Sequence, residues 1–193
     1  MWRVTFLSTA NFSPSRTGGF MSAKDDFFNK LQQGRIKRED QENKVKDDIQ
    51  YFVARLYELV KEIEGWLYKA DLKIEIVETH HKDESIASNP ELQNLSTYKA
   101  HSITITNGAK LASLVPLTVY GGNAGGWCRL TVQSSRGVEK YNLKLKKDDH
   151  NWTIKQEVDW IALSPMASRR PMALPEEEFT EDTFFKAIMG IVD

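Results

Sequence analysis

The sequence predicts an α+β protein: a long N-terminal helix packed on a mainly antiparallel sheet of five to seven strands, closed by a short C-terminal helix. Three observations lead to this. Helical periodicity runs unbroken over residues 35–69, short period-two segments follow one another over residues 72–157, and a capped amphipathic segment begins at Thr180. The chain has 193 residues, a length one hydrophobic core can serve. The expected organisation is a flexible leader over residues 1–21 and a single domain over residues 22–193. That domain divides into a helical region (22–70), a sheet (71–163), an extended arm (164–178) and a C-terminal helix (179–190).

The leader is expected to be flexible because its first 24 residues carry no acid and are rich in Ser, Thr and Gly. Its apolar stretch at residues 4–7 is too short for a secretory signal. Ser22 can cap the next turn, and Asp25 and Asp26 sit where the positive end of a helix favours acids. Phe27, Phe28 and Leu31 lie on one face before Gly34, which is expected to interrupt or end this first helix.

In the long helix, Val45, Ile49, Phe52, Leu56, Leu59, Ile63 and Trp66 recur in steps of four and three. Val53, Val60 and Leu67 widen that line into a broad stripe, as in a helix lying on a core; a coiled-coil seam is narrower. Helix of this length spans roughly 52 Å at 1.5 Å per residue, against a diameter of about 42 Å for a compact domain of this size. Residues 35–44 hold seven charges and only Ile36 as an apolar side chain, so that end is expected to project into solvent or meet a partner.

Strands are predicted at residues 72–76, 102–106, 111–120, 127–133, 138–146 and 152–157, with residues 80–95 as a polar loop. Pro116 lacks a backbone donor, so its strand should be bent, bulged or at an edge. At the C-terminus Thr180 caps a helix whose first turn holds Glu181 and Asp182, and Phe179 can staple to Phe184.

Residues 127–146 form the sharpest local pattern. Cys128, Leu130, Val132, Tyr141, Leu143 and Leu145 share one face. Trp127, Arg129, Thr131, Gln133, Lys140, Asn142, Lys144 and Lys146 share the other. A tight turn at Arg136-Gly137 pairs Val132 with Tyr141, Leu130 with Leu143 and Cys128 with Leu145; a four-residue loop over 134–137 keeps the same parity. Trp127, Arg129, Lys140, Lys144 and Lys146 are therefore candidate binding residues for nucleic acid or another anion, since cations neutralise phosphates and an aromatic can stack on a base. The plainer reading is a solvated face whose cations keep it soluble, or one partly covered by the acids at residues 176–178.

Other signals are weaker. The glycine-rich stretch 121–126 leads into a strand and lacks the Lys-Ser/Thr of a phosphate-binding loop. His80 and His81 have no paired metal-ligand spacing, and Cys128 falls on the apolar face of its strand. Met166, Arg169, Arg170 and Met172, in the proline-containing arm, are candidate docking residues, although a plain tether to the final helix is the preferred explanation.

Composition narrows the function classes. Lys+Arg 26 against Asp+Glu 27 announces neither a nucleic-acid nor a membrane partner for the chain as a whole. One cysteine leaves no internal disulfide, which fits a reducing, cytoplasmic setting. No catalytic residues, metal site or cofactor are assigned. The leading expectation is a non-catalytic protein-binding module, self-associating as a homodimer or binding another protein. A nucleic-acid- or anion-binding module is the alternative, and an enzyme of unassigned reaction the third reading.

Overall fold

The computed structural model describes residues 22–148, 150–157 and 175–192. The leader, and with it the candidate docking residues Met166, Arg169, Arg170 and Met172, lie outside the described residues. The chain divides into two units, Met1–Glu39 and Asp40–Asp193. Helix α1 (Ala23–Trp66) contributes to both.

In the first unit the described residues are helical from Ala23 onward. The Asp25 amide donates to Ser22 Oγ at 3.2 Å, and Lys30 pairs with Asp26 at 2.9 Å. Gly34 does not end the helix, contrary to expectation; α1 continues through it. A glycine inside a helix costs about 1 kcal/mol relative to alanine, too little to break a long helix on its own.

The second unit holds the sheet: β1 (Lys73–Lys82), β2 (Thr97–Asn107), β3 (Lys110–Thr118), β4 (Ala124–Ser134), β5 (Gly137–Lys146), β6 (Trp152–Gln156) and β7 (Glu177–Glu178). A short helix α2 (Glu84–Ala87) and a 3-10 turn (Gln93–Leu95) lie between β1 and β2, and α3 (Glu181–Ile188) closes the chain. The seven strands follow in sequence order, each antiparallel to the next.

Within this unit α1 buries most of the expected stripe. Val45, Ile49, Phe52, Leu56, Leu59, Val60 and Ile63 of α1, with Leu67 just after it, join one core with Cys128, Leu130, Val132, Leu143 and Leu145, while Val53 and Trp66 are partly buried against it. Each such burial is worth about 1.5–3 kcal/mol relative to exposure, which is why the stripe holds the helix on the sheet. From α3 the core takes Phe184, Ala187 and Ile188. Thr180 caps α3 through a reciprocal pair of bonds with Thr183, and the Phe179 and Phe184 rings stand 6.0 Å apart.

Several boundaries differ from the sequence reading. β1 runs on through His80 and His81 to Lys82 because every one of its residues pairs with β2. It is an edge strand, much of it exposed on both faces, so alternation fades after Ile76. The stretch read as a loop thus contains strand, α2 and a 3-10 turn. The end of the arm supplies β7, which pairs Glu177 and Glu178 with Ile154 and Thr153. Pro116 sits in a strand flanked on both sides. It is accommodated because β2 pairing stops at Leu114 and the β4 pairing shifts register between Pro116 and Thr118.

The β4–β5 hairpin has the expected parity but a register two residues away from the tight-turn pairing. Leu130 opposes Tyr141 and Cys128 opposes Leu143, with Gln133 opposite Val138. The turn is Ser135-Arg136, closed by Ser134 opposite Gly137, whose φ of 126° suits a residue without a β-carbon. This is the pairing of the longer loop over 134–137. A second irregularity between Ala124 and Gly126 sets Lys146 opposite Ala124.

Candidate functional site

The outward face of β4 and β5 places Trp127 opposite Lys144, Arg129 opposite Asn142 and Thr131 opposite Lys140. Lys144 Nζ stands 6.0 Å from the centre of the Trp127 ring, a cation–π approach. Trp127 Nε1 donates to the Gly121 carbonyl at 2.9 Å, tying the ring to the glycine-rich loop. The face is not left as a bare row of cations. Arg129 lies 3.7 Å from Glu157, and Lys144 lies 3.9 Å from Glu176. Of the acids at 176–178, Glu176 reaches Lys144; Glu157, just past β6, had no signal in the local sequence. Lys140 is exposed and Lys146 half-buried.

A second candidate lies in the first unit. Phe27, Phe28, Leu31 and Ile36 are 60%, 55%, 50% and 49% exposed. The two phenylalanine rings meet edge-on at 5.7 Å. Phe28, Leu31, Gln32, Arg35, Ile36 and Glu39 border one surface depression, at spacings that bring them to one side of the helix. Its apolar residues are therefore clustered on a helix that does not bury them.

A third feature was not legible as a group: a cleft of about 280 Å³ bordered by Asp48 and Tyr51 of α1, Val119, Tyr120, Gly125, Lys147 and His150. Tyr120 donates to Asp48 Oδ2 at 2.8 Å. Tyr51 shares a short hydrogen bond with His150 Nδ1, and Arg55 donates to the His150 carbonyl at 2.6 Å. His150 has a φ of 59°, the left-handed region. Burial raises the Tyr51 and Tyr120 phenols above their usual range, so both stay protonated. These residues are spread over about a hundred positions and carry no common spacing.

The remaining titratable signals are structural. His81 Nε2 is 2.8 Å from the Leu117 carbonyl oxygen. Cys128 is fully buried, which pushes its thiol well above the usual range and leaves it protonated and inert. Among the described residues no group of three His, Cys, Asp or Glu is arranged to hold a metal ion, and no helix is long and apolar enough to cross a membrane.

No family model, no curated protein and no solved structure matches the chain.

Proposed function

We propose that this chain is a non-catalytic protein-binding module whose helical segment 23–39 docks into an apolar groove of a partner protein. The observation that supports this most directly is the cluster of Phe27, Phe28, Leu31 and Ile36, all about half exposed or more. Soluble surfaces seldom keep large contiguous apolar patches without a binding role. These side chains are about half exposed, so docking would add about half of the 1.5–3 kcal/mol that a side chain gains on going from exposed to buried, and amphipathic helices dock into grooves through anchors at this spacing. Arg35, Lys37 and Arg38 flank Ile36 in the chain, so an acidic rim on the groove would complement them. A second copy of the chain is the self-associating form of the same proposal. The inert, solitary Cys128 thiol fits a cytoplasmic setting.

The test is a full-length bait compared with its Phe28→Asp/Leu31→Asp variant, with circular dichroism to confirm equal helix content. Partners retained by the wild type and lost by the variant are the expected result. Light scattering separates the two kinds of partner: a dimer that the variant dissociates identifies the second copy. Identical partner sets for both baits, or binding of the wild type to anionic lipid vesicles in place of protein, would refute it.

A nucleic-acid- or anion-binding role for the outward hairpin face is the second reading, supported by Lys144 lying over Trp127. The ion pairs to Glu157 and Glu176 weaken it, because they already neutralise Arg129 and Lys144. Replacing Arg129, Lys144 and Lys146 together by Glu should abolish binding to single-stranded DNA or RNA if that reading holds, and the wild-type affinity should fall steeply with salt.

A further inference from the structure

We propose that the cleft between α1 and the loops after β3 and β5 binds a small zwitterion of the amino-acid class, its ammonium on Asp48 and its carboxylate on Lys147. This site lies in the second unit and stands independently of the helical docking segment.

Charge is the first reason. Asp48 is half-buried and accepts one hydrogen bond, from Tyr120 at Oδ2. Among the described residues no cation pairs with it and no acid pairs with Lys147, although both border the same cleft. A carboxylate withdrawn from water gains most from a partner that supplies both charge and donors, and an ammonium offers three donors. A ligand with one charge of each sign would satisfy Asp48 and Lys147 together without leaving net charge in the cleft.

Shape is the second. The volume of about 280 Å³ falls just below the range of roughly 300–1,000 Å³ typical of drug-sized ligands, so a compact molecule is favoured over a nucleotide. Buried Val119, the two tyrosine rings and Gly125 give the cleft apolar walls for an aliphatic or aromatic side chain. Gly125 adds no side chain to that wall and lies beside the Tyr51 ring, where a β-carbon would stand in ordinary contact with Tyr51 Cε1 at 3.4 Å.

Preorganisation is the third. His150 is pinned on its ring by Tyr51 and on its carbonyl by Arg55, in a left-handed conformation that a non-glycine residue adopts at a cost. The wall carrying His150 is thus fixed to α1 before any ligand arrives, which lowers the ordering cost of binding.

The experiment is a nuclear magnetic resonance titration of the full chain with L-phenylalanine and L-leucine. The controls are 2-phenylethylamine, which lacks the carboxylate, and N-acetyl-L-phenylalanine, which lacks the ammonium. Saturable shifts confined to the amides around Asp48, Val119, Gly125 and His150 are expected for at least one amino acid. Both controls should bind about tenfold more weakly or worse, the scale of one lost charged hydrogen bond. Asp48→Asn, which retains an acceptor for Tyr120, and Lys147→Ala, at an exposed position, should each weaken binding similarly while the remaining spectrum stays unchanged. The Phe28→Asp/Leu31→Asp variant should bind as the wild type does, which separates this site from the docking segment. Absence of saturable shifts with either amino acid at millimolar concentration would overturn the proposal. So would equal affinity for the one-charge controls.

Discussion

Gly126 and Phe52 are in such close contact that a β-carbon on Gly126 would fall 2.0 Å from Phe52 Cδ2. Gly126 also has a φ of 153°, which side-chain-bearing residues rarely adopt. The helix meets the sheet at a point where only hydrogen fits, next to the β4 irregularity that shifts the register by one residue.

Gly126→Ala should therefore destabilise the protein by about 2–4 kcal/mol, from overpacking and backbone strain together. Urea denaturation checks this. Adding Phe52→Leu should recover part of the loss, because the two sites share one contact and their effects will not add.

Asp83 is fully buried and acts as an acceptor for four donors. Tyr98 Oη donates at 2.9 Å and the Val119 amide at 2.6 Å, both to Oδ2; the amide and hydroxyl of Ser85 donate to Oδ1. It ties α2 and β2 to the segment following β3. Asp83→Ala should cost about 3 kcal/mol, since buried donors without partners cost about 1–3 kcal/mol each. Asp83→Asn should also destabilise, because its NH₂ group cannot accept and one pair of donors is left facing it. Thermal melts of both variants give the ranking Ala worse than Asn.

Stability should fall in alkali. Burial raises the phenols of Tyr98, Tyr120 and Tyr141, helped by hydrogen bonds to Asp83, Asp48 and Glu139 respectively. A folded-state pKa above the unfolded value of 10.0 means that the folded form holds its protons longer. Below pH 10 both states are neutral and the full stability is present; as pH rises past about 10 the unfolded chain ionises first and stability is lost. Denaturation midpoints measured from pH 8 to 11 should drop beyond pH 10, and tyrosinate absorbance should rise together with unfolding.

Cys128 should resist thiol reagents in the native protein and react fully in denaturant, because the reactive thiolate is disfavoured by complete burial. Labelling at equal rates in both conditions would show that β4 opens without global unfolding.

Much of this fold was legible because burial leaves a periodic trace. The Val45–Leu67 stripe and the alternation of Cys128, Leu130 and Val132 with Leu143 and Leu145 each named the face that became core. The start of α3 was legible because capping is local: Thr180, Glu181 and Phe179 act within a few residues. The exact hairpin register was not, since moving the two-residue turn by one position preserves parity, and the turn falls at Ser135-Arg136. β1 beyond Ile76 was hidden by its edge position, where side chains answer to solvent and not to a core.

The sequence by itself determined the α+β class, the sheet-facing side of the long helix and the inward and outward sides of the β4–β5 hairpin. These follow from periods of 3.6 and 2 that belong to the chain alone. Only the tertiary structure decided which charges meet. Glu157 and Glu176 arrive beside Arg129 and Lys144, and Asp48, Tyr120 and Lys147 gather at one cleft. Such contacts depend on folding residues far apart in sequence into reach, and no local spacing records that distance.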